Sequence, residues 1–186
     1  MKKIILTSII GLSLATAGMA SAASDTVPNL NAGTKSLRLN GSYDANHPLD
    51  YQLTLEAGLG YFFWDNVELA VLGGWQSNKL SDSIELGLVG EYNFNFNSPW
   101  VPFLQVGVLY AGAELDDDIY DNDDDMDADT WIGRFGGGVK YFFRDDIAVS
   151  LGINYDVAAD DIYWDDDGNA DSYNWTALLG LRFYFD

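Results

Sequence analysis

A period-two alternation of apolar residues recurs eight times along the chain and limits what it can fold into. In the segment 51–63, every odd position carries Tyr, Leu, Ala or Phe, and most even positions carry Gln, Thr, Glu or Gly. Because successive side chains of a β-strand point to opposite faces, each such segment predicts a strand with one apolar face. The other segments lie at 36–44, 67–77, 84–96, 100–113, 130–143, 147–155 and 175–185.

The connections between these segments alternate in length. Three are tight, at 64–66, 97–99 and 144–146, and four are longer and polar, near 45–50, 78–82, 114–129 and 157–172. Tight turns at one end and long loops at the other are typical of a strand meander. The predicted fold is therefore all-β: an eight-stranded antiparallel up-and-down β-barrel, with both termini at the end that carries the short turns.

The first residues have the layout of an export signal. Lys2 and Lys3 precede an apolar stretch at 4–17, and Ala20-Ser21-Ala22 supplies small residues for cleavage. We therefore predict a signal peptide at 1–22, a short periplasmic N-terminal segment at 23–34 and the barrel at 35–186. The chain has no cysteine, so an exported domain of this kind has to be stabilised without disulfides.

Alternation alone does not tell which face of the barrel is outside. A soluble barrel would enclose its apolar residues, whereas a membrane barrel would turn them toward lipid. The polar line of these strands is rich in glycine and carries only isolated charges, which suits a crowded interior better than a solvated surface. The 29 acidic against 9 basic residues exclude a nucleic-acid-binding protein, and the aromatic content of 15% excludes a disordered chain.

The apolar line also ends in aromatic residues on both sides, and such rings favour the level of lipid headgroups. The ten steps from Tyr51 to Tyr61 span about 25 Å along the barrel axis at a tilt of about 40°, which matches an outer-membrane barrel. The predicted barrel is therefore transmembrane. The predicted belt near the long loops is Tyr43, Tyr51, Trp75, Tyr110, Trp131, Tyr155 and Trp175, and that near the short turns is Tyr61, Phe63, Tyr92, Phe94, Phe96, Tyr141, Phe143, Phe183 and Phe185.

If the polar line faces inward, four acids and four bases lie in the lumen. Eight strands leave room only for the barrel's own side chains, and an unpaired charge there would cost several kcal/mol. We therefore expect a paired charge network that plugs the lumen, although some members could lie at solvated rims. A narrow, porin-like channel for small ions or small apolar solutes is the alternative. The predicted lumen residues are Arg38, Glu56, Glu68, Glu85, Glu91, Arg134, Lys140 and Arg182.

Acidic residues are concentrated in two segments, 114–129 and 156–171, which hold 17 of the 29. Carboxylates suit Ca²⁺ or Mg²⁺, but Met126 and Ile132 stand where an EF-hand loop needs glycine and glutamate. We expect solvated loops that hold divalent cations loosely. Specific cation binding that bridges to lipopolysaccharide phosphates, and a basic partner anchored by Tyr120, Tyr163 and Trp164, remain open. The candidate cation ligands are Asp117, Asp118, Asp121, Asp123, Asp125, Asp160, Asp161, Asp165 and Asp167.

The sequence gives no support for catalysis. His47 is the only histidine, and its neighbours Ser42 and Asp44 have no spacing that favours a hydrolase site. The prediction is a non-enzymatic protein without a cofactor, and a lipid-modifying barrel enzyme is the remote alternative.

Two similar hairpins carry a resemblance to a known family. The pattern Gly-x-x-Tyr-Phe-Phe-x-Asp-x-Val/Ile occurs at 58–67 and again at 138–147, and the chain ends in Gly-Leu-Arg-Phe-Tyr-Phe at 180–185. With these, the chain resembles the small eight-stranded outer-membrane β-barrels of the OmpA, OmpX and OmpW kind. The resemblance implies a Gram-negative outer membrane, outward loops, periplasmic termini, contact with lipid and lipopolysaccharide, and a structural or surface-interaction role for a monomer. It also implies that Gly180, Phe183 and Phe185 form the insertion signal that the barrel-assembly machinery reads.

Overall fold

The alternating segments form eight long strands that close into one antiparallel barrel, as predicted. The computed structural model describes residues 27–44, 52–78, 81–115, 128–164 and 170–186. Strands adjacent in sequence pair with each other, and the first strand closes the barrel against the last, from Lys35–Phe185 to Gly41–Leu179. The strands are β1 (Lys35–Asp44), β2 (Gln52–Trp64), β3 (Val67–Asn78), β4 (Ser81–Asn93), β5 (Trp100–Leu115), β6 (Ala128–Arg144), β7 (Ile147–Ala158), the two-residue strands β8 (Tyr163–Trp164) and β9 (Ala170–Asp171), and β10 (Tyr173–Phe185).

The two hairpins that resemble each other in sequence also share one geometry. The β2–β3 turn at Asp65 and Asn66 and the β6–β7 turn at 145–146 each follow a shift in strand register, between Phe62 and Trp64 in the first and between Phe142 and Arg144 in the second. Asn66 adopts a positive φ of 67°, a conformation that asparagine tolerates better than most residues. The repeated motif is thus a bulged hairpin with a two-residue turn.

Several predicted boundaries were wrong. Strand β4 ends at Asn93 rather than at residue 96, and the β3–β4 connection is residues 79–80, so it is not one of the long loops. Strands β5, β6 and β7 extend further toward the long-loop end than predicted, to 115, from 128 and to 158. The β8–β9 hairpin between β7 and β10 was not predicted.

The residues before β1 fold back across the short-turn end of the barrel. Asn29 N–H donates to the Asp145 carbonyl, and Asn66 N–H donates to the Leu30 carbonyl, at 2.9 and 2.8 Å. The Asn29 side-chain amide also donates to Asp186 Oδ1 at 2.8 Å, which ties this segment to the residue that follows β10. Residues 27–34 therefore form a strap across the short-turn end.

The outer wall is apolar and ringed by aromatic residues. Leu59 and Ile84 expose 69% and 68% of their surface, and many other large apolar residues of the wall are exposed as well. A continuous apolar surface of this extent is unfavourable in water. The described residues contain no helix long and apolar enough to cross a membrane. Ring pairs lie at both ends of the wall, with centroid distances of 5.2 Å for Tyr110–Trp131, 4.6 Å for Tyr155–Trp175, and 4.9 Å for both Tyr61–Phe63 and Tyr92–Phe94.

Candidate functional site

The candidate site is the lumen, where the inward faces of all eight barrel strands meet. The strand phase turns all eight charged residues named from the sequence inward, and each is at most 9% exposed. They fall into two networks, which we call the Glu91 network and the Arg134 network after their central residues. Arg38, Glu68, Glu91, Lys140 and Arg182 belong to the first, and Glu56, Glu85 and Arg134 belong to the second.

The Glu91 network surrounds one buried carboxylate with cations. Lys140 Nζ donates to Glu91 Oε1 at 2.5 Å. Glu91 Oε2 lies 3.6 Å from Arg38 Nη1 and 3.8 Å from Arg182 Nη1. These two distances exceed hydrogen-bond length, so the attraction there is Coulombic. Arg38 completes the network through Nη2, which donates to Glu68 Oε1 at 2.7 Å.

Cation–π contacts with one aromatic ring stabilise two of the cations in this network. The Phe103 ring centroid lies 5.3 Å from Lys140 Nζ and 5.7 Å from the Arg182 guanidinium carbon. Cations over a ring face are attracted by its quadrupole, most strongly away from water. Arg182 makes longer contacts than the other bases of this network: Nε donates to Ser150 Oγ at 3.3 Å, and Nη1 lies 3.8 Å from Glu91 Oε2.

The Arg134 network has the opposite composition, with three carboxylates around one guanidinium. Arg134 Nη1 donates to Glu56 Oε1 at 2.5 Å, and Nη2 lies 3.3 Å from Glu85 Oε2. Nε and Nη2 each donate to one oxygen of Asp156 at 2.7 Å. The bidentate fork to Asp156 is the strongest geometry available to a guanidinium and a carboxylate.

Asp156 corrects the sequence prediction, which assigned this residue to a solvated acidic loop. It lies within β7 and is 3% exposed. Its phase matches Asn154, another inward residue of that strand, so extending the alternation by one step would have identified it. Among the described residues the lumen therefore holds five acids and four bases rather than four of each. The Glu91 network has one excess base, and the Arg134 network has two excess acids.

Inward glycines make space for side chains that bridge strands. A β-carbon on Gly60 would collide with Glu68 Oε1 and with Ser36 Oγ, which hydrogen-bond to each other at 2.5 Å. A β-carbon on Gly136 would collide in the same way with Asn154 Oδ1, which accepts from Gln105 Nε2 at 2.6 Å. In both cases the bonded pair reaches across the intervening strand over the glycine. At these two positions the lumen has no room for one additional methyl group.

Apolar side chains fill the lumen as well, which the expectation of a charge-filled interior did not include. One cluster follows a continuous row of strand pairs through Leu72, Leu109, Ile132 and Ala158. Tyr163 enters this cluster from the β8–β9 hairpin and is 8% exposed.

The position of Tyr163 corrects the idea that it anchors an external partner. Its hydroxyl has no hydrogen-bond partner among the described residues. Burial, followed by the nearby Asp156 and Glu85 carboxylates, raises the pKa of this hydroxyl. Tyr163 is therefore uncharged, and its ring packs in the apolar cluster at the long-loop mouth of the lumen.

A second apolar cluster closes the opposite mouth. Leu30, from the strap, is 1% exposed and packs with Phe62, Phe142 and Tyr184. The Phe142 and Tyr184 ring centroids are 5.2 Å apart. This contribution of Leu30 was not predicted, because a single apolar residue in a polar segment carries no periodic signal.

The remaining residues named from the sequence lie outside the two networks. Asp160 accepts a hydrogen bond from Thr130 Oγ1 at 2.9 Å, and Asp161 is exposed. Ser42 lies half-buried in β1, whereas His47 and the Asp44 side chain lie outside what the structure describes. Most of the predicted loop residues also lie outside the described ranges: Asp117, Asp118, Asp121, Asp123, Asp125, Asp165, Asp167, Tyr120 and the Trp164 side chain. Within the described ranges, no group of acidic or histidine side chains is arranged to hold a metal ion.

The C-terminal residues named as an insertion signal lie at the end of β10. Phe185 faces outward and is 51% exposed, and Phe183 is half-buried on the same face. Gly180 faces inward, where a β-carbon would collide with Asn40 Oδ1 and Ser150 Oγ. Gly180 thus has a packing reason for its identity within the folded barrel.

Comparison with known proteins yields one family and several structures of the same fold. A family described as outer membrane protein beta-barrel domain matches residues 9–183. The N-terminal β-barrel domain of Pseudomonas aeruginosa OprF is 19% identical with a TM-score of 0.61, over 83% of this chain and 98% of that one. Neisserial surface protein A is 15% identical with a TM-score of 0.56, over 82% and 96%. Ail of Yersinia pestis is 12% identical with a TM-score of 0.52, over 83% and 99%. No curated protein matches the sequence significantly.

Proposed function

The chain belongs to the outer membrane protein β-barrel family, and we propose that it is a non-enzymatic barrel whose lumen is closed by its own side chains. It resides in the outer membrane of a Gram-negative bacterium. Its role is structural, or it interacts at the cell surface through its acidic loops, and it does not form a wide pore. The short turns and both termini face the periplasm, and the long loops face outward.

The observation that carries this proposal is the continuity of the filling along the lumen. Leu30 occupies the short-turn mouth at 1% exposure, and Tyr163 occupies the other mouth at 8%. Between them, Glu91 and Arg134 are each surrounded by buried partners of opposite charge. A solute that crossed the barrel would have to break ion pairs whose members are then left without water or partner, which costs several kcal/mol for each charge.

The acidic loops are the second part of the proposal. Carboxylates at this density repel each other, and hard divalent cations such as Ca²⁺ or Mg²⁺ relieve that repulsion. We expect loose binding by the loop aspartates, of which Asp160 and Asp161 are described and exposed at the outer end. The same cations would bridge to phosphates of neighbouring lipopolysaccharide. The protein is further proposed to act as a monomer that the barrel-assembly machinery recognises through Gly180, Phe183 and Phe185.

Planar-bilayer conductance of the purified barrel, with and without millimolar Ca²⁺, tests the closed lumen. We expect no stable openings in either condition. Stable openings wide enough for sugars would contradict the proposal. In parallel, calorimetric titration with Ca²⁺ should give weak, non-saturating heats, and a saturating one-to-one isotherm would contradict loose binding. Comparing the mass spectra of lipid A from cells with and without the protein tests the non-enzymatic assignment, because a lipid-modifying enzyme would change them.

A narrow cation path is the second candidate function, and one observation favours it. Tyr163 enters the lumen from the β8–β9 hairpin, which is not part of the barrel wall, so its removal would open one mouth without breaking a barrel strand pair. Behind it lies the Arg134 network, with two excess acids. If the candidate holds, Tyr163→Ala produces small cation-selective currents. If the variant stays silent, the path is closed deeper in the lumen and this candidate fails.

A further inference from the structure

A groove on the outer wall near the short-turn end has no part in closing the lumen. It has a volume of about 560 Å³ and lies across β1, β2 and β3 and the edge of β4. Exposed aliphatic side chains line its length, and the aromatic belt lines its end near the turns. The lining side chains on the outer face are Lys35, Leu59, Tyr61, Phe63, Leu69, Val71, Leu88 and Phe185.

The rim of the groove is held in place by its own contacts. The Tyr61 and Phe63 rings meet edge to face with centroids 4.9 Å apart. Strand pairing sets Lys35 directly between Tyr61 on β2 and Phe185 on β10. The groove therefore has an aromatic rim at headgroup depth, with one cation in the middle of that rim.

The charge of Lys35 is distinctive among the described bases. Arg38, Arg134, Lys140 and Arg182 point into the lumen. Arg144 is exposed at the same end of the barrel, but its Nε lies 2.9 Å from Asp146 Oδ1. Lys35 faces outward, and no described acidic group lies within ion-pair distance of it. An exposed ammonium at headgroup depth attracts a lipid phosphate.

We propose that this groove binds one anionic glycerophospholipid of the periplasmic leaflet. One acyl chain lies along Leu59, Val71 and Leu88, and the phosphate pairs with the Lys35 ammonium. Because the surrounding lipid tails are as apolar as the groove, the apolar contact alone gives little preference. The selectivity comes from the net negative charge of the lipid headgroup. In a zwitterionic lipid, the positive group of the headgroup already neutralises the phosphate. The inference rests on the proposed orientation, in which the short turns face the phospholipid leaflet.

Native mass spectrometry of the barrel purified from outer membranes tests this inference. The folded state of each variant is first checked by its heat-modifiable electrophoretic mobility. The wild-type barrel is then offered phosphatidylglycerol and phosphatidylcholine with identical acyl chains, and separately lipid A. We expect one retained phosphatidylglycerol, with a preference of about fivefold over phosphatidylcholine, as one lysine near a lipid surface provides. Lys35→Gln should abolish this preference.

Arg144→Gln is the matched control, because it removes the same charge at the same end from a base that already has a partner. It should keep the preference. Val71→Trp fills the groove with an apolar side chain and should lower retention of both phospholipids while Lys35 is intact. An unchanged preference in Lys35→Gln, an equal loss in Arg144→Gln, or stronger retention of lipid A than of phosphatidylglycerol would overturn the inference. These readouts concern the outer wall, so they are independent of the conductance that tests the closed lumen.

Discussion

Replacing Arg134 by glutamine is the sharpest perturbation of the lumen. The substitution keeps a polar side chain of moderate length but removes the guanidinium that serves three carboxylates. Glu56, Glu85 and Asp156 are each at most 9% exposed, so none of them can recover its lost partner from bulk water. Removing one partner of a buried ion pair leaves an uncompensated charge, which is the costly case.

The size of the effect follows from the contacts. Arg134 makes charged hydrogen bonds of 2.7 Å to both oxygens of Asp156 and of 2.5 Å to Glu56. Breaking a buried pair of this kind costs about 3–5 kcal/mol of unfolding free energy. Arg134→Lys should recover only part of the loss, because the ammonium restores the positive charge but cannot form the bidentate fork to Asp156.

Reversible urea unfolding in lipid vesicles, followed by tryptophan fluorescence, measures this loss. Arg144→Gln is the control, because its pair with Asp146 is exposed, with 63% of the Arg144 side chain accessible, and exposed pairs contribute about 0–1 kcal/mol. We expect Arg134→Gln to lose at least about 2 kcal/mol more than Arg144→Gln. Equal losses in the two variants would mean that water reaches the Arg134 network or that its ion pairs are not formed.

Three further variants and one control, Gly90→Ala, test the packing of the lumen with the same unfolding assay. Gly60→Ala would place a methyl group on the Glu68 carboxylate and should cost about 1–3 kcal/mol, whereas Gly90→Ala meets nothing closer than a backbone oxygen at 3.8 Å and should cost less; the reverse order would contradict the inward packing. Leu30→Ala should cost about 2–4 kcal/mol, because Leu30 is 1% exposed in an apolar cluster, and a loss below about 0.5 kcal/mol would mean that the strap does not close the barrel. Tyr163→Phe removes a buried hydroxyl that has no described partner and should leave stability unchanged or raise it; a loss above about 1 kcal/mol would reveal a partner for that hydroxyl.

The alternation predicted the number, order and direction of the barrel strands because lipid and lumen impose opposite chemistry on successive residues. The same signal misjudged where the strands end. Phe94 and Phe96 keep the alternating pattern beyond β4, which ends at Asn93. Phe94 N–H still donates to the carbonyl of Pro102 on β5 at 2.8 Å. Side chains in an extended turn still alternate, so the pattern does not mark the last ladder pair.

The lumen was partly accessible to sequence reasoning. Strand phase alone decides which charges turn inward, and Asp156 was missed because the predicted strand stopped one residue short of it. Which charges pair could not be read from the sequence. Arg134 and Glu56 are 78 positions apart, and they meet because barrel closure and strand stagger bring β2 and β6 to opposite sides of one narrow lumen. Leu30 and Tyr163 were inaccessible for another reason, since each is a single residue delivered by an irregular segment.

The reactivity of a single thiol in the lumen reports whether the barrel is closed by its own side chains. The chain has no cysteine, so Ser150→Cys provides one thiol in place of a lumen hydroxyl that is 3% exposed. Ser98→Cys, in the turn between β4 and β5, is the matched control. A water-soluble, membrane-impermeant maleimide should label Ser98→Cys in the folded barrel and Ser150→Cys only after denaturation. If folded Ser150→Cys reacts as fast as Ser98→Cys, the lumen is an aqueous channel and the barrel is not closed by its own side chains.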